Sequence, residues 1–244
     1  MFLRQILHVI RQIIAGWNST GAWYAAALLV LGGVAGRKLG LIFMPDGPPH
    51  RFDLLQPIVA AQICTGVFGF AALFTMARWS EPMRQLSHPR LAAAGLVWTT
   101  SRAVPIVLGI GLVVFAPQFM PTTPYVARTF DVAIAAPLLP LVVMAAANLR
   151  GDNFSGSFGS FGLPAPGNVW WSAAVIALCF GQVLGVTLAT GISEKLGLAL
   201  FDNAPALFLH SAAGEIMSFV TLSIAVAACR EKEAAGPAKA LVFD

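Results

Sequence analysis

The feature that most constrains this chain is a series of six long apolar segments that carry almost no charge. They cover residues of about 21–36, 54–77, 91–116, 130–149, 169–192 and 205–229. An α-helix needs roughly 20 apolar residues to cross the hydrocarbon core of a bilayer, and a helix satisfies its own backbone hydrogen bonds inside lipid. The sequence therefore predicts an all-α fold, a polytopic transmembrane helical bundle of about six spans.

The composition agrees with a membrane location for the whole chain. Of its 244 residues, 57% are hydrophobic and only 11% are charged, whereas soluble domains have about 25% charged residues. The net charge of +4 is explained by basic residues that flank the spans. We therefore expect a lipid bilayer and no nucleic acid as the partner, and the alanine-, leucine- and proline-rich composition is typical of a bacterial inner-membrane protein.

The first residues, 1–17, have the pattern of an amphipathic helix that precedes the spans. Its polar side chains fall on one helical face, opposite the apolar ones. They are Arg4, Gln5, His8, Arg11 and Gln12. We expect this helix to lie in the membrane interface; a docking helix for a partner subunit is the alternative. The domain organisation is thus an interfacial helix (1–17), a single transmembrane bundle (18–229) and a charged tail (230–244).

Basic residues in alternating connections predict the orientation. With six spans, the side that holds the N-terminus carries nine Arg and Lys residues, and the opposite side carries five. Cytoplasmic loops are the ones enriched in Lys and Arg. The sequence therefore predicts that both termini are cytoplasmic, whereas an odd number of spans would place the basic tail outside.

Two ionisable residues lie deep inside predicted spans, Arg102 in the third and Glu215 in the sixth. At 1.5 Å per residue, Arg102 lies roughly 16 Å from the end where its span enters, and Glu215 about 15 Å from the opposite end of its own span. The two therefore reach a similar depth. They form either a structural ion pair or part of a substrate or proton path.

Further polar and small residues complete a predicted polar layer. Gln182, Gln62 and His210 lie in the fifth, second and sixth spans, with Gln62 and His210 nearer the outer leaflet. Small residues allow helices to approach closely, and we expect five of them to pack the spans around the layer. These are Gly181, Gly185, Ser211, Gly214 and Ser218.

Prolines predict local bends within two spans. Pro105 follows Arg102 by three residues, and Pro137 and Pro140 lie in the fourth span, where a missing backbone donor kinks a helix. Asp131 stands near the predicted start of the fourth span, where a carboxylate stabilises a helix N-terminus.

The sequence gives little support to an enzyme. His210 is the only histidine within a span, and a haem b site in a bundle would need two axial ligands. The three cysteines are far apart, and the sequence has no HExxH, GxSxG or P-loop. We therefore predict no catalytic residue, no cofactor and no bound metal.

Two functions are compatible with these observations. In the first, the protein is a small permease or channel-like transport subunit, and the polar layer lines its path. In the second, it anchors or assembles a larger membrane complex through partner subunits or a second copy of the chain. Its contacts would then be the N-terminal helix, the tail and a loop that contains Phe154, Phe158 and Phe161. A path requires a wet cavity at Arg102 and Glu215, and an anchor requires none.

Overall fold

A computed structural model of the protein describes residues 2–44, 55–79, 86–115, 124–151 and 168–240. The regular elements within these ranges are all helical, which confirms the predicted fold class. Besides two short 3-10 turns, they are α1 (Phe2–Ala15), α2 (Thr20–Ile42), α3 (Leu55–Arg78), α4 (His88–Phe115), α5 (Pro124–Arg150), α6 (Val169–Leu196), α7 (Ala204–Gly214) and α8 (Ile216–Ala240).

Helices α2 to α6 are each long and apolar enough to cross a membrane. The pair α7 and α8 passes the same criteria as a single sixth span, but it is bent by 44°. Several helices begin at polar caps, which satisfy backbone donors that have no partner within the helix. Ser19, Asn168 and Asn203 accept from the backbone N–H groups three residues later. These caps fix where α2, α6 and α7 start.

The ends of α3 and α5 meet and complete each other. Arg78, the last residue of α3, donates from Nη1 to the carbonyl of Leu149 at 2.8 Å. Arg150, the last residue of α5, donates from Nη1 to the carbonyl of Ala77 at 3.4 Å. The last carbonyls of a helix have no partner within the helix, and cations are favoured near that end. Each arginine therefore caps the other helix.

The core is rich in alanine and is concentrated in α5 and α8. Half of the apolar window of α5 is buried within the protein, against 17% in α3 and in α4. On α8, every residue from Leu222 to Cys229 is buried. Small side chains let these helices pack closely. Helices α3 and α4 therefore lie at the edge of the bundle and present much of their apolar surface outward.

The N-terminal helix is present and docks on the bundle. Ile6, Val9 and Ile13 are buried, because this face packs against α6 and α8. Just after α1, the Trp17 Nε1–H group donates to Ser223 Oγ on α8 at 3.0 Å. Part of the apolar face of α1 is thus buried against other helices of the same chain. Other apolar side chains of α1, among them Leu3, stay exposed.

Helices α2, α5 and α8 extend beyond the predicted spans. Helix α2 continues to Ile42, six residues beyond the predicted end of the first span, and α8 continues to Ala240. Helix α5 begins at Pro124, so Asp131 lies two turns inside it rather than at its N-terminus. The predicted loop residues Phe154, Phe158 and Phe161 lie outside the described residues.

Prolines do not set the position of the break between α7 and α8. Pro105 lies within α4, and Pro137 and Pro140 lie within α5, and both helices continue through them. The break instead falls between Gly214 and Ile216. The sequence predicts a single apolar span of about 205–229 there, and the break within it is a correction to that prediction.

Candidate functional site

The candidate site forms where the last span breaks at Glu215. Helix α7 ends at Gly214, and Glu215 adopts φ −92° and ψ 1° before α8 begins. Its backbone N–H still donates to the carbonyl of Ser211 at 3.0 Å, and its carbonyl accepts from Phe219 N at 2.9 Å. Glycine has a low helix propensity, which favours a break after Gly214. The carboxylate of Glu215 is thereby presented at a bend inside the apolar bundle.

Arg37 of α2 lies across this break. Its Nη1 donates to Ser211 Oγ on α7. A Cβ atom on Gly214 would lie only 2.6 Å from Arg37 Nη2, so the guanidinium occupies the space that a side chain at Gly214 would need. The fully buried Ser211 hydroxyl and the missing side chain of Gly214 together hold the arginine against the broken span.

Arg37 and Glu215 border the same small space beside Gly33. A Cβ atom on Gly33 would lie 3.3 Å from both Cγ and Oε1 of Glu215, and 3.4 Å from Arg37 Nη1. Any larger residue at this position would press on both charged groups. Gly33 thus lets the carboxylate and the guanidinium approach α2 closely.

Arg102 of α4 is the second cation near Glu215. Its Cζ lies 5.0 Å from the centroid of the Trp98 ring, a cation–π distance. Its Nη2 would lie 3.3 Å from a Cβ on Gly69 of α3. The carboxylate of Glu215 attracts the charge of Arg102. Arg102 and Glu215 therefore interact electrostatically, and Arg37 borders the carboxylate as well.

Gln182 of α6 lies on another side of the break. Its side chain is 8% exposed, and its Nε2 donates to Asp131 Oδ2 on α5 at 3.5 Å, near the upper limit for a hydrogen bond. A small recess with a volume of about 20 Å³, enough for one water molecule, lies beside it. Its lining residues are Gln182, Gly185, Val186, Ala189, Gly214 and Met217. Gly214 therefore separates this recess from Arg37.

The predicted packing glycines of α6 contact the broken span directly. A Cβ on Gly181 would lie 3.1 Å from Val220 Cγ2, and one on Gly185 would lie 2.6 Å from the backbone carbonyl oxygen of Ala213. The close approach at Gly185 leaves no room for a side chain. Ser218 is half-buried on α8.

Gln62 and His210, the two predicted members nearer the outer leaflet, lie on α3 and α7. Gln62 is exposed on α3, where Ile63 is also exposed, so its side chain faces away from the layer. The physical reason is the packing of α3: after Pro57, its buried residues begin only at Gly69. His210 is half-buried on α7, one residue before Ser211.

Sequence reasoning did not place Arg37 and Asp131 in the site, because the first and the fourth spans were both predicted to be shorter than the helices that contain them. The first span was ended at the glycines before Arg37, although apolar residues resume up to Ile42. Extending the helix across the Arg37–Lys38 pair would have placed Arg37 inside it. Asp131 was likewise assigned to a helix start that lies seven residues further back, at Pro124.

The site offers charged side chains together with hydrogen-bond donors and acceptors. Its acidic side chains do not form a cluster. Within the described ranges, no three His, Cys, Asp or Glu side chains lie close enough to hold a metal ion. Comparison with protein-family models, with curated proteins and with solved structures finds no match.

Proposed function

We propose that the protein is a small membrane transport subunit, permease-like or channel-like, whose path passes the break at Glu215. The observation that carries this proposal is the span that breaks at a carboxylate, with Arg37 packed across the break. Transporters use discontinuous helices near the midplane to bind substrates and ions. Ionisable residues inside a membrane also mark such paths more often than other positions do.

The number of helices that contribute to the site supports a transport path rather than a purely structural ion pair. A structural ion pair needs only one cation and one anion on two helices, and burying even that pair gives little net stability. Here Arg37 and Arg102 come from two different helices towards the single carboxylate of Glu215. Gln182 adds a buried amide beside a small recess on another side of the break. Such an arrangement suits a site that accepts a further polar group.

Water accessibility tests the proposed path. In a variant with serine at Cys64, Cys179 and Cys229, we introduce Ser211→Cys and treat intact membranes with a charged, membrane-impermeant thiol reagent. We expect Cys at position 211 to react, because water must reach a transport path. The control is Ala213→Cys, on the opposite, glycine-packed side of α7, which should stay unreactive. Protection of both positions from both sides of the membrane would contradict the proposal.

An anchoring role is the second candidate, and the exposed edge of the bundle favours it. Helices α3 and α4 each bury only 17% of their apolar stretch within the protein. Gln62 is exposed on α3, where a partner helix could accept a hydrogen bond from its side-chain amide. The test is purification from native membrane in mild detergent with mass spectrometry, comparing the wild type with Glu215→Gln. Stoichiometric partner subunits in both samples would favour anchoring.

For the location, we propose a multi-pass protein of a bacterial inner membrane with both termini in the cytoplasm. The support is the excess of basic residues on the side that carries the N-terminus, nine against four once Arg37 is assigned to the α2 span. The N-terminal helix adds to this, because Arg4 and Arg11 are exposed on it and can meet anionic lipid headgroups.

A further inference from the structure

The apolar side of α1 is wider than its contact with the bundle. One face packs against α6 and α8, and its buried residues are Ile6, Val9 and Ile13. At about 100° per residue, a second apolar stripe lies roughly a quarter turn further round the helix. The residues of this outer stripe, all exposed within the described part of the chain, are Leu3, Leu7 and Ile14. The outer stripe is therefore left for a contact outside the bundle.

Basic residues border the outer stripe on the side away from the buried face. Arg4 and Arg11 are exposed on α1 and lie about 60–80° beyond the centre of the stripe. Residues 2–15 contain no Asp or Glu, so every charged side chain of the helix is an arginine. An apolar stripe bordered by arginines matches the boundary between acyl chains and anionic headgroups.

Aromatic side chains mark a membrane boundary at the same end of the bundle. Trp17 lies directly after α1, Trp23 and Tyr24 are exposed at the start of α2, and Trp79 is exposed just after α3. The rings of Tyr24 and Trp79 contact each other, with centroids 4.9 Å apart. Trp and Tyr are enriched at membrane–water interfaces. Only residues 16–19 separate α1 from the apolar helix α2. These positions favour lipid over a partner protein as the cover of the outer stripe.

The turn after α1 is attached to α8 close to the break. The Trp17 Nε1–H group donates to Ser223 Oγ at 3.0 Å, and Ser223 Oγ donates to the carbonyl of Phe219 at 2.8 Å. The rings of Trp17 and Phe219 have centroids 5.7 Å apart. The backbone N–H of Phe219 donates to the carbonyl of Glu215 at 2.9 Å. A displacement of α1 is therefore passed to the part of α8 that follows the break.

We propose that the outer stripe of α1 binds an anionic lipid surface and that Trp17 transmits this contact to α8, which restrains the broken span. The inference rests on the proposed transport function, because it names a regulator of the path at the same break. In an anionic leaflet, Arg4 and Arg11 hold α1 against the headgroups, and Trp17 restrains α8. In a neutral leaflet, α1 loses this attraction, and the break opens more often.

Hydrogen–deuterium exchange with mass spectrometry tests both steps on the purified full chain. The protein is placed in nanodiscs of phosphatidylcholine or of an equal mixture with phosphatidylglycerol. We expect the anionic lipid to slow amide exchange about fivefold, as the contribution of a single basic residue near such a surface implies. The slowing should appear both in α1 and in residues 211–223, which contain the break.

The variants separate lipid binding from its transmission. The double variant Arg4→Gln/Arg11→Gln should lose the lipid effect in both segments. Trp17→Phe removes the Nε1–H donor and keeps a ring, so α1 should still respond to the lipid while the break does not. Ser223→Ala removes the same hydrogen bond from α8 and should give the same result. The matched control is Trp23→Phe, which changes an exposed tryptophan on α2 and should respond as the wild type does.

Each outcome decides the inference. Equally slow exchange of α1 in both lipids overturns it and assigns the outer stripe to a protein contact; equally fast exchange overturns it as well. A lipid effect at the break that persists in Trp17→Phe and Ser223→Ala, or that is lost equally in Trp23→Phe, refutes the role of Trp17. An unreactive Cys at position 211 refutes the transport path alone. A reactive Cys there with lipid-independent exchange at the break refutes this inference alone.

Discussion

At the scale of single residues, the molecule depends on how Glu215 is surrounded. A carboxylate inside a membrane span requires compensation, and the structure supplies it from α2 and α4 rather than from its own helix. Arg37 contributes most directly, since it lies across Gly214 and shares the space beside Gly33 with the carboxylate. We therefore expect Arg37 and Glu215 to act as one unit.

A double-mutant cycle measures this coupling. We expect Arg37→Gln and Glu215→Gln to be non-additive by about 1–3 kcal/mol in the free energy of unfolding, because each single variant leaves a half-buried charge with less compensation. The measurement is a titration with sodium dodecyl sulfate in mixed micelles. The parallel cycle of Lys38→Gln with Glu215→Gln serves as the control and should be additive within about 0.5 kcal/mol. Equal coupling in both cycles would show that Arg37 has no special relation to Glu215.

At the scale of helices, the broken span is held by close contact with α6. Gly181 and Gly185 form a GxxxG spacing whose two glycines meet Val220 and the backbone of Ala213. Backbone atoms cannot move aside as a flexible side chain can. The position of the break relative to α6 is therefore set mainly at Gly185.

Substituting this glycine should separate the helices. We expect Gly185→Ala to lower the free energy of unfolding by about 1–3 kcal/mol, the usual cost of overpacking, because its Cβ would lie 2.6 Å from Ala213 O. Gly191→Ala on the same helix is the matched control, since its Cβ would meet nothing within 4 Å. That control should be neutral or slightly stabilising, because alanine is the better helix former. The same detergent titration compares the two, and equal losses would refute the packing argument.

The sequence predicts the spans but not the contacts between them. The length and hydropathy of the apolar segments identified the spans, because both are local properties of the sequence. The similar depth of Arg102 and Glu215 stays a prediction, although Glu215 acts electrostatically on Arg102 in the structure. The break after Gly214 and the approach of Arg37 depend on contacts between helices distant in sequence. Such contacts cannot be predicted from the spacing of apolar residues. The first span was also predicted to end before Arg37, so that Arg37 was placed in a loop.

At the scale of the whole molecule, the number of crossings depends on the bent pair. If α7 and α8 together cross the membrane, six spans place both termini on one side; if they do not, five spans place them on opposite sides. The turn after α1 lies close to the end of the last apolar stretch, because a Cβ on Gly16 would lie 3.6 Å from Arg230 Nη1. This proximity favours six crossings.

Reporter fusions decide the topology. We expect alkaline phosphatase fused after residue 244 to be inactive and green fluorescent protein at the same position to be fluorescent, as for a cytoplasmic terminus. A fusion before residue 2 should report the same side. An active phosphatase after residue 244 together with a cytoplasmic N-terminus would leave five crossings and make α7–α8 a re-entrant pair.

The reciprocal arginine caps of α3 and α5 have a consequence for the order of assembly. Arg78 and Leu149 are separated by 71 residues, and Arg150 and Ala77 by 73. During synthesis, α3 therefore emerges with its final carbonyls and its arginine unmatched and must wait for α4 and α5 to arrive. Both helix ends can therefore become complete only after α5 has been synthesised.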